Sequence, residues 1–228
     1  MKITINKNYY PKDNKTYLSK DIKIKEYFKI IGNTLKKKFK NKNFTLLDAG
    51  CASGDFLYYL NTILNVNGFG IDFSKKLIDL AKKRNPEFSF KVKDLNKNLN
   101  MKKFNVCACL GTLSAFDDPF KIINKLVKLT TNNGKIIIFD LINENDVNVK
   151  VRYQNNFIND TNWLSAFNTF SKKKWVTELK KNKSIKKVSF KKFNIPINIV
   201  KDKKNPMITW TVNLNNKKEI MVGTTCIK

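Results

Sequence analysis

Residues 44 to 56, Phe-Thr-Leu-Leu-Asp-Ala-Gly-Cys-Ala-Ser-Gly-Asp-Phe, constrain the fold more than any other part of the chain. A short apolar run ending at Asp48 has the length and content of a buried strand. Gly50, Ala52 and Gly54 follow as a turn of small residues at alternate positions, and the spacing from Phe56 to Leu64 predicts a helix. Small residues let backbone approach a ligand closely, and a helix start presents free N–H groups. The turn is therefore a candidate site for a nucleoside-like ligand.

The same alternation continues on both sides of it. Residues 1–18 are polar and read as a mobile N-terminal arm. Ser19 is expected to cap a helix carrying Ile24, Tyr27, Phe28, Ile31 and Leu35 at helical spacing. Gly68 to Phe73 reads as a second strand, and Ser74 as the cap of a helix with Leu77, Leu80 and Ala81 that stops at Asn85-Pro86. Phe88 to Val92 and Phe104 to Leu110 are further strands. Asp118-Pro119 opens a helix with Ile122, Ile123, Leu126 and Val127 on its apolar face, expected to end at Asn133-Gly134 before a fifth strand, Lys135 to Phe139. This order predicts an α/β fold, a Rossmann-like doubly wound, mostly parallel sheet. Residues 19–141 form its core and 142–228 a lid with a C-terminal antiparallel edge, all within a single domain spanning 19–228. In that second part Asn162 to Leu179 reads as partly helical and 185–199 as extended. Ile208 to Leu214 and Glu219 to Cys226 read as a hairpin turning at Asn215-Asn216.

Composition bears mainly on partners and compartment. The 228 residues are long enough for one well-cored domain, and no apolar run reaches the roughly 20 residues needed to span a bilayer. The N-terminus lacks a secretory apolar core, and the four cysteines show no metal spacing, so buried thiols in a cytoplasmic, reducing setting are expected. The formal net charge of +27 invites a nucleic-acid partner. Yet Arg84 and Arg152 are the only arginines, and the lysines are scattered among asparagines and isoleucines, which favours solvated faces over a dedicated groove. Histidine is absent, which removes the commonest general base and metal ligand; no metal is expected.

Four points at successive strand ends converge where open parallel sheets bind ligands. Asp48 and the glycine turn end the first strand. Asp72 ends the second, at the distance from the turn expected of a carboxylate that accepts from two ribose hydroxyls. Asp94 and Leu95 follow the third, beside an adenine edge, and Leu110-Gly111-Thr112 end the fourth. Asp48 before the turn disfavours a diphosphate and favours a ligand carrying an ammonium group, and no Gly-Lys-Ser/Thr follows to make a P-loop.

Over residues 20–141 the chain resembles the class I S-adenosylmethionine-dependent methyltransferases, with Leu47-Asp-Ala-Gly-Cys-Ala-Ser-Gly-Asp-Phe56 matching their first motif and departing only at the middle glycine, here Ala52. The resemblance implies S-adenosylmethionine as cofactor, bound by Asp48, Gly50, Ala52, Gly54, Asp72, Phe73, Asp94, Leu95 and Leu110. In it the turn approaches the methionine moiety, Asp72 holds the ribose, Asp94-Leu95 lies along the adenine and the backbone near Leu110 faces the methionyl amine. Asp146-Val-Asn-Val149, Arg152-Tyr153, Phe167 to Ser171 and Thr209 to Val212 are loosely similar to methyltransferases of bacterial sugar and surface-polysaccharide genes. In such folds a last antiparallel strand closes the sheet; the C-terminal hairpin either takes that place or falls short of it.

The expected reaction is in-line attack of a substrate oxygen or nitrogen on the sulfonium methyl, with a small molecule, a sugar or nucleotide-sugar, as acceptor. Thr112, Asn143 and Tyr153 are placed on the substrate side of the cleft. Asp117, Glu144 and Tyr153 are within loop reach as bases but read as surface or capping residues, and no catalytic base is assigned. Leu110-Gly111-Thr112-Leu113 lacks the Asn/Asp-Pro-Pro-aromatic turn of exocyclic-amine methylation, and Cys107 and Cys109 read as buried rather than as cytosine-C5 nucleophiles. An RNA methyltransferase using the basic surface, and a non-catalytic adenosyl-binding scaffold, remain the alternatives. Oligomeric state is left open.

Overall fold

The computed structural model describes residues 18, 21–40, 42–155, 160–165, 167–192, 212–214, 217–219 and 223–227, with side chains left undescribed in 153–155, 160–164 and the three segments after 211. The expected Ser19 cap and the arm before it lie outside these residues, apart from Leu18. The helix that carries the expected apolar stripe, α1 (Glu26–Lys38), has Lys25 rather than Ser19 at its N-cap. It buries Phe28, Ile31 and Leu35 and leaves Ile24 exposed. Its stripe is held by tertiary packing, with each buried apolar side chain contributing about 1.5–3 kcal/mol.

The central sheet contains β1 (Phe44–Ala49), β2 (Val66–Asp72), β3 (Ser89–Val92), β4 (Phe104–Leu110) and β5 (Thr130–Asp140), all parallel. Between them run α2 (Asp55–Asn61), α3 (Lys75–Arg84) and α4 (Pro119–Lys128). The α3 cap is as read: Ser74 Oγ accepts from the Leu77 N–H at 3.3 Å. Asp118 caps α4 with Pro119 at the first helical position. Two boundaries differ from the sequence reading. The helix after the glycine turn ends at Asn61 rather than Leu64. Asn133-Gly134 is not the end of α4, which stops at Lys128; it lies in an irregularity of β5, where pairing jumps from Phe104–Thr130 to Val106–Lys135. A Cβ on Gly134 would fall 2.4 Å from Thr130 Cγ2, so the glycine serves this close backbone packing.

Alternation along the strands sends side chains to two cores. Leu47, Ala49, Cys107, Cys109, Ile136 and Ile138 pack with Ile122, Ile123 and Leu126 of α4. Leu46, Val106, Ala108 and Ile137 pack on the opposite side with α1 and α2 and with Ile78 and Ala81 of α3. Cys107 and Cys109 are buried in β4, where burial pushes both thiols up.

After β5 come β6 (Ile142–Asn143), β7 (Arg152–Asn155), β8 (Asp160–Ser165), β9 (Phe170–Ser171) and α5 (Lys172–Lys180). The helix expected over 162–179 is therefore only its last part. Ser171 caps α5 by accepting from the Lys174 N–H at 3.0 Å, and the residues before it are spent on sheet pairings. The remaining strands are β10 (Val188–Lys191), β11 (Val212–Leu214), β12 (Lys217–Glu219) and β13 (Gly223–Ile227). The expected terminal hairpin is split. Only β11 and β12 pair across 215–216, while β13 inserts antiparallel between β5 and β10, giving the seven-strand order β10-β13-β5-β4-β1-β2-β3. The sheet thus does carry a closing antiparallel edge. No helix among the described residues is long and apolar enough to cross a membrane.

Candidate active site

The carboxyl ends of β1, β2, β3 and β4 open into one cleft of about 1130 Å³, solvent at its mouth included. The turn after β1 is tied to β2: the N–H groups of Gly50 and Cys51 both donate to Ile71 O, at 2.8 and 3.0 Å. Gly50 has φ +83°, and a Cβ there would lie 2.4 Å from Thr112 Oγ1, so the end of β4 seals directly against this backbone. Ala52, which stands where the resemblance has glycine, keeps a left-handed backbone at φ +47°. Gly54, at the N-cap of α2, differs from its neighbours. Its missing Cβ would meet Asn85 and Phe90, so it serves helix–strand packing and does not line the cleft.

Four aspartates line the cleft, Asp48, Asp55, Asp72 and Asp94, and Asp55 is engaged by Arg84. Asp72 accepts from the Ala52 N–H through Oδ2 at 3.0 Å and from the Ser74 N–H through Oδ1 at 2.9 Å. Burial pushes its carboxyl up and these amides hold it back. Asp48 is 2% exposed. Burial first, and then the charge of Asp72, push its carboxyl up to about 7, while Lys25 opposes the rise. Asp94 accepts from the Asn96 N–H at 3.0 Å. Phe73, Leu95, Leu110 and Thr112 also face the space.

An adenosyl cofactor with a charged methionine tail needs a hydroxyl acceptor, an anionic end and apolar walls for its base. Asp72, with lone pairs beyond those its two amides use, supplies the first. Asp48 supplies the second; Phe73, Leu77 and Leu95 supply the third. The residues present fit the group.

Two walls carried no recognisable sequence signal. Lys25, Tyr27 and Phe28 close one side from the start of α1. Phe28 reads as a core residue from its periodicity, and Tyr27 stacks on Phe139 with ring centroids 3.9 Å apart. Ala115 and Phe116 form another wall, just after Thr112.

The structure does not bring Asn143 to the cleft. It is fully buried, its Nδ2 donating to Val147 O and its Oδ1 accepting from the Asn145 N–H, both at 3.0 Å, so it shapes its own loop. Tyr153 lies in β7 and its side chain is outside the described ones. Glu144 is a surface residue near Lys172 and Lys192. Asp117 is more than a surface residue: it pairs with Arg152 at 2.6 Å and accepts from Ser165 Oγ at 3.1 Å. Buried Asn168 completes this cluster. Its N–H donates to Ser114 O, its Nδ2 to Phe116 O, and its Oδ1 accepts from the Val151 N–H. The segment after β6 is thereby fastened to the Phe116 wall. Arg84 pairs with Asp55 at 2.9 Å, so both arginines serve intrachain ion pairs.

A family described as a methyltransferase domain matches residues 40–195. Protein 235L of Invertebrate iridescent virus 6, which bears a provisional methyltransferase name, is 26% identical over 165 residues, 68% of this chain. The chain spans 60% of the length of that relative. Among solved structures, Streptomyces venezuelae DesVI superposes with a TM-score of 0.54 at 11% identity, covering 81% of this chain and 90% of its own. The [4+2]-cyclase SpnF gives the same TM-score at 13% identity, covering 71% and 60%. Both show the fold alone.

Proposed function

Because the chain belongs to the methyltransferase domain family, whose class I fold takes S-adenosylmethionine, we propose that it transfers the cofactor's methyl group to an oxygen or nitrogen of a small molecule, with a sugar or nucleotide-sugar as the acceptor class. The observation that carries this reading is the single cleft in which Asp48, Asp72 and Asp94 meet the tight turn at Gly50. When bound, S-adenosylmethionine supplies a methyl already activated on a sulfonium. The chain's own part is binding, orientation and exclusion of water. Asp72, braced by two backbone amides, holds ribose hydroxyls; the Asp48 carboxylate favours the cationic tail; Leu95 and Phe73 flank the base. Thr112, Ala115 and Phe116 bound the side from which an acceptor approaches. A neutral amine acceptor needs no base, and no base is assigned for a hydroxyl.

A second reading, methylation of RNA, draws on the net charge of +27 and on Lys25 and Lys93 at the cleft. Against it, neither arginine is free to fork onto phosphate. The fold also serves the cyclase SpnF, so methyl transfer itself has to be read directly. The test is incubation with methyl-labelled cofactor and separate pools of nucleotide-sugars, free sugars, small amines and RNA. Label in a small-molecule pool is expected. Label in RNA alone favours the second reading, and cofactor binding without any labelled product favours a scaffold.

A further inference from the structure

The loop after β3 is the least regular part of the cleft. It carries Asp94, Leu95 and Asn96 into the lining with no strand pairing of its own. Two features hold it. Leu95 and Leu99 are buried in the core beside Phe104, Ile122 and Leu126. The other is Lys125, on α4, a residue for which neither the composition nor the motifs suggested a role. Its Nζ donates to Leu95 O at 2.7 Å, Asn96 O at 2.7 Å and Lys97 O at 3.0 Å. An ammonium has three protons, and here three consecutive carbonyls take them. Converging carbonyls repel one another unless a cation lies between them, so the loop's shape depends on that charge. The same turn directs the Asn96 N–H to Asp94 Oδ1 and the Lys97 N–H to Asp94 O, which fixes the carboxylate. Burial pulls the Lys125 ammonium below its usual range, and the charge of Asp94 opposes that fall.

We propose that Lys125 is a positioning residue for base recognition: by gathering the carbonyls of residues 95–97 it orients Asp94 and Leu95 to select an adenine over a base lacking the exocyclic amino group. The inference rests on the cofactor reading above and deepens it. It needs no contact between Lys125 and the ligand; the lysine acts through the loop.

The test is calorimetric titration of the full chain with S-adenosylhomocysteine and with S-inosylhomocysteine, which replaces the amino donor by a carbonyl. Wild type is expected to prefer the adenosyl compound. Lys125→Met, unbranched, uncharged and one atom shorter, is expected to weaken adenosyl binding about tenfold and inosyl binding far less, so that the preference shrinks. Lys125→Arg keeps the charge but cannot converge three donors on one point, and is expected to shift the preference the same way by less. That variant decides the matter if Lys125→Met does not fold. Equal weakening of both ligands, or of neither, overturns the proposal and leaves the cofactor reading standing. A wild type that binds neither compound overturns both.

Discussion

Asp48 makes the energetics of the cleft measurable without any ligand. Its carboxyl is raised from 3.8 to about 7, by burial first and by Asp72 second. A raised acid binds its proton more tightly in the folded chain, so folding is unimpeded below about pH 4. It carries a growing penalty as pH rises toward 7, and above that the penalty is constant. The full span of about three pH units corresponds to about 4 kcal/mol at 1.36 kcal/mol per unit. Between about pH 5.5 and 8, where the folded carboxyl gives up most of its proton, linkage puts the loss near 2 kcal/mol. For a domain of this size that is a fall in Tm of about 4–8 °C. Asp72 and Asp140 are raised by burial as well, and act in the same direction in any variant that keeps them. The informative quantity is therefore the difference between wild type and Asp48→Asn, followed by circular dichroism melts across this range at fixed ionic strength. The variant is expected to melt higher than wild type at pH 8, with the gap narrowing steadily as pH falls and closing only near about pH 4. Parallel curves, or a variant less stable at pH 8, would refute the assignment of a buried, reluctantly ionised acid.

Three further substitutions probe the turn and the wall beside it. Ala52→Gly relieves a left-handed alanine at φ +47° and is expected to raise stability by about 0.5–1 kcal/mol, after the entropy glycine loses, in a denaturant titration. Gly50→Ala places a Cβ 2.4 Å from Thr112 Oγ1 at φ +83° and is expected to cost about 3 kcal/mol or more, read as a drop in denaturation midpoint. Asn168→Ala strands the Val151 N–H and the Phe116 carbonyl, with an expected loss of about 2–3 kcal/mol; unchanged thermal melts would show that the wall does not depend on this cluster.

What the sequence disclosed and what it hid divide along range. Ser74, Asp118-Pro119 and the residues from Phe44 to Phe56 act on neighbours a few positions away, so their meaning is local and readable. The strands β1 to β5 follow because each is an apolar run bounded by such signals. The segment 160–171 misleads because its aromatic spacing suits a helix, while the pairings that make it β8 and β9 are settled by partners such as Arg152 and Ile142. In sequence β13 reads as half of a hairpin because its partner, β5, ends more than eighty residues earlier and leaves no trace in the intervening chain. Asn143 reads as a cleft residue by position, yet its amide is consumed by the backbone of its own loop. Lys25, Tyr27 and Phe116 reach the cleft only because of where α1 and the turn after β4 land, and Lys125 is one lysine among many until three carbonyls are seen around it.

The central claim, that these strand ends hold one adenosyl group, is tested most directly by a crystal structure of the chain with S-adenosylhomocysteine. The expected density has ribose oxygens within hydrogen-bond distance of the Asp72 carboxylate, the base against Leu95 and the amino acid tail near Asp48. A ligand bound elsewhere, or one in this cleft with its ribose turned away from Asp72, would contradict the account.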